Sequence, residues 1–342
     1  MNCDDDIREY HGDEVNIDSA TRTSMRGNRD ANRDRMKRGL EKNGDPTPNE
    51  NIIQGSYAMR TMVQHKDNDY DIDDGAAFNS AKFVDAKGVA KTPVQARKMV
   101  CNALIEGGGL REDPVVKKNC VRVTYAAGHH IDIPVYRRIL DDNGNVTKLE
   151  LAAGDDWRDS NPREITEWFQ KQEKSGGDVD VNKDTQLRRM ARLMKRYSRS
   201  NLEGNSLCGL VLTILVAEKF VAYTDRDDTA FRTILSGVKA RLEWNRVVKN
   251  PANGTEVLTK DSDGEKIDAL VKKIGETLER QKVLDKPACT KKEARDAWDI
   301  TFKTDYFSKL QDADDDAGRA PYTPSPTEPE KKVNIRGPGT AA

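Results

Sequence analysis

The chain has 342 residues, room for two structural units built around substantial cores. Its 57 basic and 58 acidic side chains leave a net charge of −1, which argues against a protein built mainly to coat nucleic acid. At 36% hydrophobic residues and a mean hydropathy of −0.82, with no run of about 18 apolar residues, the sequence predicts charged amphipathic helices plus some disorder and excludes a membrane-spanning helix. The acidic start, Met-Asn-Cys-Asp-Asp-Asp, carries no apolar stretch and so no secretory signal. Five cysteines stand singly and the four histidines lack zinc-ligand spacing, so a reduced, cytoplasmic, zinc-free protein is expected. His129 and His130 read as strand residues rather than ligands.

Residues 1–16 are polar and read as a loose arm. Ser19 to Glu41 is strongly charged and reads as a long helix closed by Asn43-Gly44. Asp45-Pro46-Thr47-Pro48 is a connector. Asn51 to Gln54 is a short strand running into Gly55-Ser56, and Tyr57 to Met62 looks like the first turns of a helix. Tyr70 to Phe78 is a strand rich in acid. Thr92-Pro93 opens a helix to about Ile105, with Pro93 at its first position. Two strands follow, Asn119 to Tyr125 and His130 to Arg137. The second alternates, with Ile131, Ile133 and Val135 on one side and Asp132 and Pro134 on the other. Val146 to Leu151 is a further strand.

Beyond residue 155 strand signals give way to helical patterns: Pro162 to Lys174, Lys183 to Ser198, Leu207 to Tyr223, Thr229 to Val247, Glu265 to Leu284 and Lys291 to Leu310. The order predicts an α+β fold, a mixed sheet with flanking helices over 17–155, followed by a helical lobe over 156–310. Residues 311–342, acidic and then rich in Pro and charge without periodicity, are expected to be a disordered tail.

Chemistry is concentrated around Asp71-Ile72-Asp73. Spacing of two on a strand puts both carboxylates on one face, about 5–7 Å apart, where they repel unless a cation lies between them. Asp132, flanked by Ile131 and Ile133, points away from the core of its own strand. If the strands pair, three carboxylates converge, and such a triad can hold two metal ions about 3.5–4 Å apart. Mg²⁺ suits carboxylates plus phosphate oxygens, and Mn²⁺ could replace it. Gly55-Ser56 at a strand-to-helix junction allows close approach of a phosphate and offers a hydroxyl and N–H to it. The competing reading of the acidic strand alone is an exposed edge guarded against aggregation. Asp74 alternates to the other face and is left out of the site. On the helix at 183–198, Arg188, Arg192, Lys195, Arg196 and Arg199 share one side. They form either a packing face with acidic neighbours or a polyphosphate-facing stripe.

Gln54-Gly55-Ser56-Tyr57, Tyr70-Asp71-Ile72-Asp73-Asp74-Gly75 and His130-Ile131-Asp132-Ile133-Pro134-Val135-Tyr136 resemble the motifs of the cGAS/DncV-like nucleotidyltransferases (CD-NTases) over about residues 51–138. The resemblance implies a polymerase-β-like core, a helical lobe and a cleft between them. It implies template-free joining of ribonucleoside triphosphates, ATP and GTP foremost, into a cyclic di- or trinucleotide that serves anti-phage signalling of the CBASS type. It assigns Asp71, Asp73 and Asp132 to the metal and to catalysis. Gln54, Gly55, Ser56, Lys195 and Ser206 fall to nucleotide binding. It also suggests a ubiquitin-ligase-like partner acting on the C-terminal tail, while activation by nucleic acid is not expected. Two other readings remain at this stage: a transferase making linear oligonucleotides or modifying RNA, protein or a small molecule, and a catalytically idle scaffold acting through its tail.

Overall fold

In a computed structural model the chain is described over residues 1–65, 70–85 and 87–311. Asp67, Asp69 and the tail from residue 312 lie outside the described residues.

The first sixteen residues are not a loose arm. Helix α1 (Asp4–Tyr10) runs into a π-helical turn at His11–Val15, and Ile7, Tyr10 and Val15 are fully buried. Tyr10 packs its ring 4.7, 5.3 and 4.8 Å from those of Phe302, Tyr306 and Phe307. The polar composition conceals one narrow apolar stripe, and the charges around it are matched by partners far along the chain. Arg8 pairs with Asp178 at 2.9 Å, and Asp6 with Arg295 at 3.0 Å. Burying one stripe and pairing its flanks is enough to dock a short helix.

Helix α2 (Ser19–Asn43) starts where the Asp18 carboxylate accepts the Thr21 N–H at 2.8 Å, and it stops at Gly44 in the left-handed region. Strand β1 (Glu50–Gln54) enters a single helical turn, α3 (Gly55–Ala58). The expected helix to Met62 is cut short because Arg60 is left-handed (φ 55°), which turns the chain so that Met59 and Val63 enter the core of the helical region. Strand β2 (Asp71–Asn79) follows, then α4 (Pro93–Glu106), opened by a reciprocal Thr92–Gln95 capping box. Helices α2 and α4 cross so closely that a Cβ on Gly39 would stand 1.8 Å from the Ala103 carbonyl oxygen.

The sheet continues with β3 (Val115–Val116), β4 (Val121–Thr124), β5 (His130–Ile133), β6 (Val135–Leu140), β7 (Val146–Ala153) and β8 (Asp156–Asp159). Strands β5 and β6 are the two halves of the single strand expected at 130–137, interrupted at Pro134, which lacks an N–H. Both lie parallel to β2 in unbroken register, with Asp73 opposite Asp132 and Ala76 opposite Val135. Strand β1 runs antiparallel to β2 on its other edge, pairing Gln54 with Asp73. β3 and β8 were not foreseen: the one is two residues long, and the other lies just beyond the expected boundary at 155.

Helices α5 (Pro162–Glu173), α6 (Gln186–Asn201), α7 (Gly209–Lys219), α8 (Asp227–Trp244), α9 (Gly264–Gln281) and α10 (Lys291–Phe302) build the second region. One apolar core unites Met190, Met194, Leu212, Phe231 and Trp298 with the N-terminal segment. A second lies between the sheet and α2/α4, around Ile72, Phe78, Val100 and Ile131. The expected α+β class with a helical lobe is the architecture found.

Candidate active site

Alternation along β2 sends Ile72 into the core and turns Asp71 and Asp73 to the opposite face. Asp74 is buried behind the sheet, where Arg33 of α2 donates to it at 2.7 Å from Nε and 2.5 Å from Nη2. Parallel pairing places Asp132 beside Asp73 and His130 beside Asp71. Paired residues of neighbouring strands project to the same side. Asp71, Asp73 and Asp132 therefore share one surface. Asp71 is exposed, Asp73 half-buried and Asp132 buried.

The three carboxylates are unequally satisfied. Arg122, opposite Asp132 on β4, donates to it in a two-pronged fork at 2.7 and 2.8 Å, and its Nη2 stands 3.3 Å from Asp71. Asp73 accepts no hydrogen bond among the described residues. Burial, and then the neighbouring charges of Asp132 and Asp71, push its carboxyl up to about 7, against a smaller opposing pull from Arg122. Cys120 lies against Asp132, and burial pushes its thiol up to about 12.

Gly55 stands directly over Asp73. A Cβ there would fall 2.3 Å from Asp73 Oδ2, and its φ of +65° is a conformation that residues with a side chain rarely adopt. The one-turn helix that starts here holds Ser56, whose carbonyl accepts the Thr61 N–H at 2.8 Å. Gln54 is oriented by Tyr136, whose hydroxyl donates to its Oε1 at 2.9 Å.

Lys195 and Ser206 both engage partners within the chain. Lys195 Nζ is buried and donates at 2.9 Å to both the carbonyl and the hydroxyl of Thr61. Burial, then Arg199 and Arg192, lower its pKa to about 7. The Ser206 hydroxyl bonds that of Ser198 at 2.7 Å. The basic face of α6 is largely a packing face. Arg188 reaches Glu173 at 2.6 Å and Asp184 at 2.9 Å, and Arg192 reaches Asp184 at 2.6 Å and the Arg60 carbonyl at 2.9 Å. These arginines, Arg192 foremost, more than offset the cost of burial for Asp184 and hold its carboxyl below the usual range. Arg188, Arg192 and Lys195 turn inward because α6 is covered nearly all round over its first ten residues, whereas Arg196 is half-buried and Arg199 near its end is exposed.

The chemistry of the donor set fits a hard divalent cation: oxygen ligands only, negative charge in excess, and one half-buried carboxylate without a partner. Among the described residues no three acidic, His or Cys side chains stand as a closed metal cluster, and the Arg122 guanidinium holds Asp132. Arg122 and Tyr136 were the site residues missed in the sequence. Arg122 had a signal, since Val121 and Val123 point inward and force it to the other face, but its partner follows only from the strand register.

Residues 50–136 match the model of the nucleotidyltransferase domain of cyclic GMP-AMP synthase DncV-like proteins. The chain carries a DncV-like nucleotidyltransferase domain. A cyclic GMP-AMP synthase from Escherichia albertii is 28% identical over 221 residues, 62% of this chain, and the match spans 46% of that relative's own length. The apo crystal structure of Vibrio cholerae DncV superposes with a TM-score of 0.65 at 16% identity, covering 88% of this chain and 95% of that one. The Bradyrhizobium diazoefficiens CD-NTase CdnG, solved with GTP, gives 0.64 at 14% identity over 90% and 96%. E. coli MS115-1 CdnC, solved with ATP, gives 0.63 at 13% identity over 90% and 99%. At these identities the structures show a shared fold over both the DncV-like domain and the helical lobe.

Proposed function

We propose that this protein joins ribonucleoside triphosphates into a cyclic di- or trinucleotide, releasing pyrophosphate, with Asp71, Asp73 and Asp132 as catalytic and metal-binding residues. One observation carries the reading: three carboxylates on paired strands face the same side, and the Gly55-Ser56 turn stands over the middle one, Asp73. A scaffold has no use for a carboxylate that accepts no hydrogen bond among the described residues and lies under a glycine whose side chain would strike it. The purine triphosphates held by CdnG and CdnC suggest GTP and ATP as substrates.

Asp71, Asp73 and Asp132 would hold Mg²⁺, or Mn²⁺ in its place. When bound, the cation supplies charge neutralisation to the triphosphate and acidifies the attacking ribose hydroxyl. The remaining work belongs to the chain. Gly55 lets the backbone of the turn come down onto Asp73, which sets a phosphate held by the turn close to the carboxylates. Ser56 offers its hydroxyl and N–H to the phosphate oxygens, and Gln54, held by Tyr136, lines the same edge. Lys195 and Arg192 act from behind, through Thr61 and the Arg60 carbonyl, and keep the turn at a fixed height over the carboxylates. Positioning of this kind contributes a large share of the rate in bimolecular transfers. No described helix is long and apolar enough to cross a membrane. Cytoplasmic synthesis of a messenger for anti-phage signalling, with a conjugating partner at the tail, is the setting we assign to this activity.

The test is incubation of the protein with all four ribonucleoside triphosphates and Mg²⁺ or Mn²⁺, beside an Asp71→Asn/Asp73→Asn double variant, with mass analysis of phosphatase-resistant products. A cyclic product from the wild type alone is expected. Linear products, or label transferred to RNA, protein or a small molecule, would replace cyclisation by another transfer. No product and no nucleotide binding would remove the enzyme reading.

A further inference from the structure

We infer that Arg122 is a built-in rival of the catalytic cation: its guanidinium occupies Asp132 and borders Asp71, and a divalent ion gains the full carboxylate set only when this fork lets go. The inference rests on the metal reading above and goes beyond it, because it makes cation affinity a property of a strand residue that is not itself a ligand.

Four features support it. Arg122 and Asp132 are register partners on antiparallel β4 and β5, so the fork is built by the backbone rather than reached by a wandering surface side chain. Both prongs are short, at 2.7 and 2.8 Å, and the same guanidinium reaches Asp71 at 3.3 Å. Arg122 thus ties two of the three candidate ligands and leaves Asp73 without a hydrogen bond among the described residues. The Arg122 side chain keeps 30% of its surface exposed, whereas that of Asp132 keeps 12%. The arginine can therefore swing toward solvent while the carboxylate stays. Lastly, a guanidinium and a hard divalent ion both neutralise carboxylate charge, and they compete for the same oxygen lone pairs.

Without a cation, Arg122 keeps a cluster of like charges from destabilising this face of the sheet. When a cation displaces it, the freed guanidinium remains beside the site. Binding of the metal is weakened by the free energy of opening the fork, so the protein holds the ion loosely until other ligands add to it.

The measurement is Mn²⁺ binding, read as loss of the free-ion electron paramagnetic resonance signal, in wild type, Arg122→Gln, Arg122→Lys and Asp73→Asn. Thermal unfolding is followed with EDTA and with Mn²⁺. Removing the fork should tighten Mn²⁺ about tenfold, lower the unfolding temperature in EDTA and enlarge its rise with Mn²⁺. Arg122→Lys keeps the charge without the fork and should tighten binding less. Equal or weaker Mn²⁺ binding in both Arg122 variants, with Asp73→Asn still abolishing it, would overturn the rivalry and leave the metal site standing. Binding unaffected by Asp73→Asn, or none in any protein, would remove the metal reading and the inference with it. Should Arg122→Gln fail to fold, the wild type decides: Mg²⁺ should shift the Arg122 Nε–H resonance and speed its solvent exchange, and an unmoved signal under saturating Mg²⁺ would overturn the proposal.

Discussion

Gly55 and Asp73 are joined by a contact that only two atoms make possible, an absent Cβ and a carboxylate oxygen beneath it. Gly55→Ala should cost about 1–2 kcal/mol of stability from the left-handed backbone alone. It should also push Asp73 aside, so that nucleotide and Mn²⁺ binding both weaken while far-UV circular dichroism is unchanged. Asp73 has a second signature. Its ordinary pKa of 3.8 rises to about 7 in the folded protein, so between these values the native state binds more protons than the unfolded chain. Stability from this group is therefore undiminished below about 4 and falls as pH rises towards 7. In EDTA, the urea midpoint of Asp73→Asn should gain on that of the wild type between pH 5 and pH 8, and saturating Mn²⁺ should abolish the gain. A constant gap would show that the carboxyl titrates normally.

At the scale of elements, α2 braces the sheet from the side opposite the site. Its Arg33 meets buried Asp74, one residue after Asp73 but on the other face. Asp74→Ala leaves that guanidinium only the longer contact with Asp30 at 4.0 Å. It should cost about 2–3 kcal/mol in urea unfolding, less than for a wholly buried pair because Arg33 keeps 26% of its side chain exposed. Mn²⁺ affinity of the folded protein should stay the same, in contrast to Asp73→Asn. Equal loss of cation binding in both would mean that the two faces of β2 are not independent. The limits of most elements were legible in local signals: the Asp18 cap and Gly44 stop of α2, and the Thr92-Pro93 start of α4. The one-turn α3 was not, because Arg60 ends it in a conformation unusual for arginine, which the contact of Arg192 with its carbonyl sustains from another part of the chain.

Across the whole molecule, the N-terminal segment is a structural part of the helical core rather than an appendage. Tyr10 sits among Phe302, Tyr306 and Phe307, some three hundred residues away in sequence. Tyr10→Ala should cost about 3–5 kcal/mol, as expected for truncating a fully buried aromatic. The loss should appear in the same urea transition that reports α10, since both belong to one core. A separate early transition confined to residues 1–16 in hydrogen exchange would show that the segment docks independently.

The order of elements, the α+β class and the shared face of Asp71 and Asp73 were legible in the sequence, because each depends on short-range periodicity, caps and turns. The sequence also marked Asp132 as an acid pointing out of an apolar strand. Which side chains meet depends on how distant segments pair and pack. Strand register brought Asp132 beside Asp73 and set Arg122 on both Asp132 and Asp71. Packing around α6 turned Arg188, Arg192 and Lys195 inward to Asp184, Arg60 and Thr61. A distant aromatic cluster recruited the N-terminus. These are encounters between residues far apart in the chain, and their geometry is fixed by backbone pairing and packing rather than by the composition of any one segment.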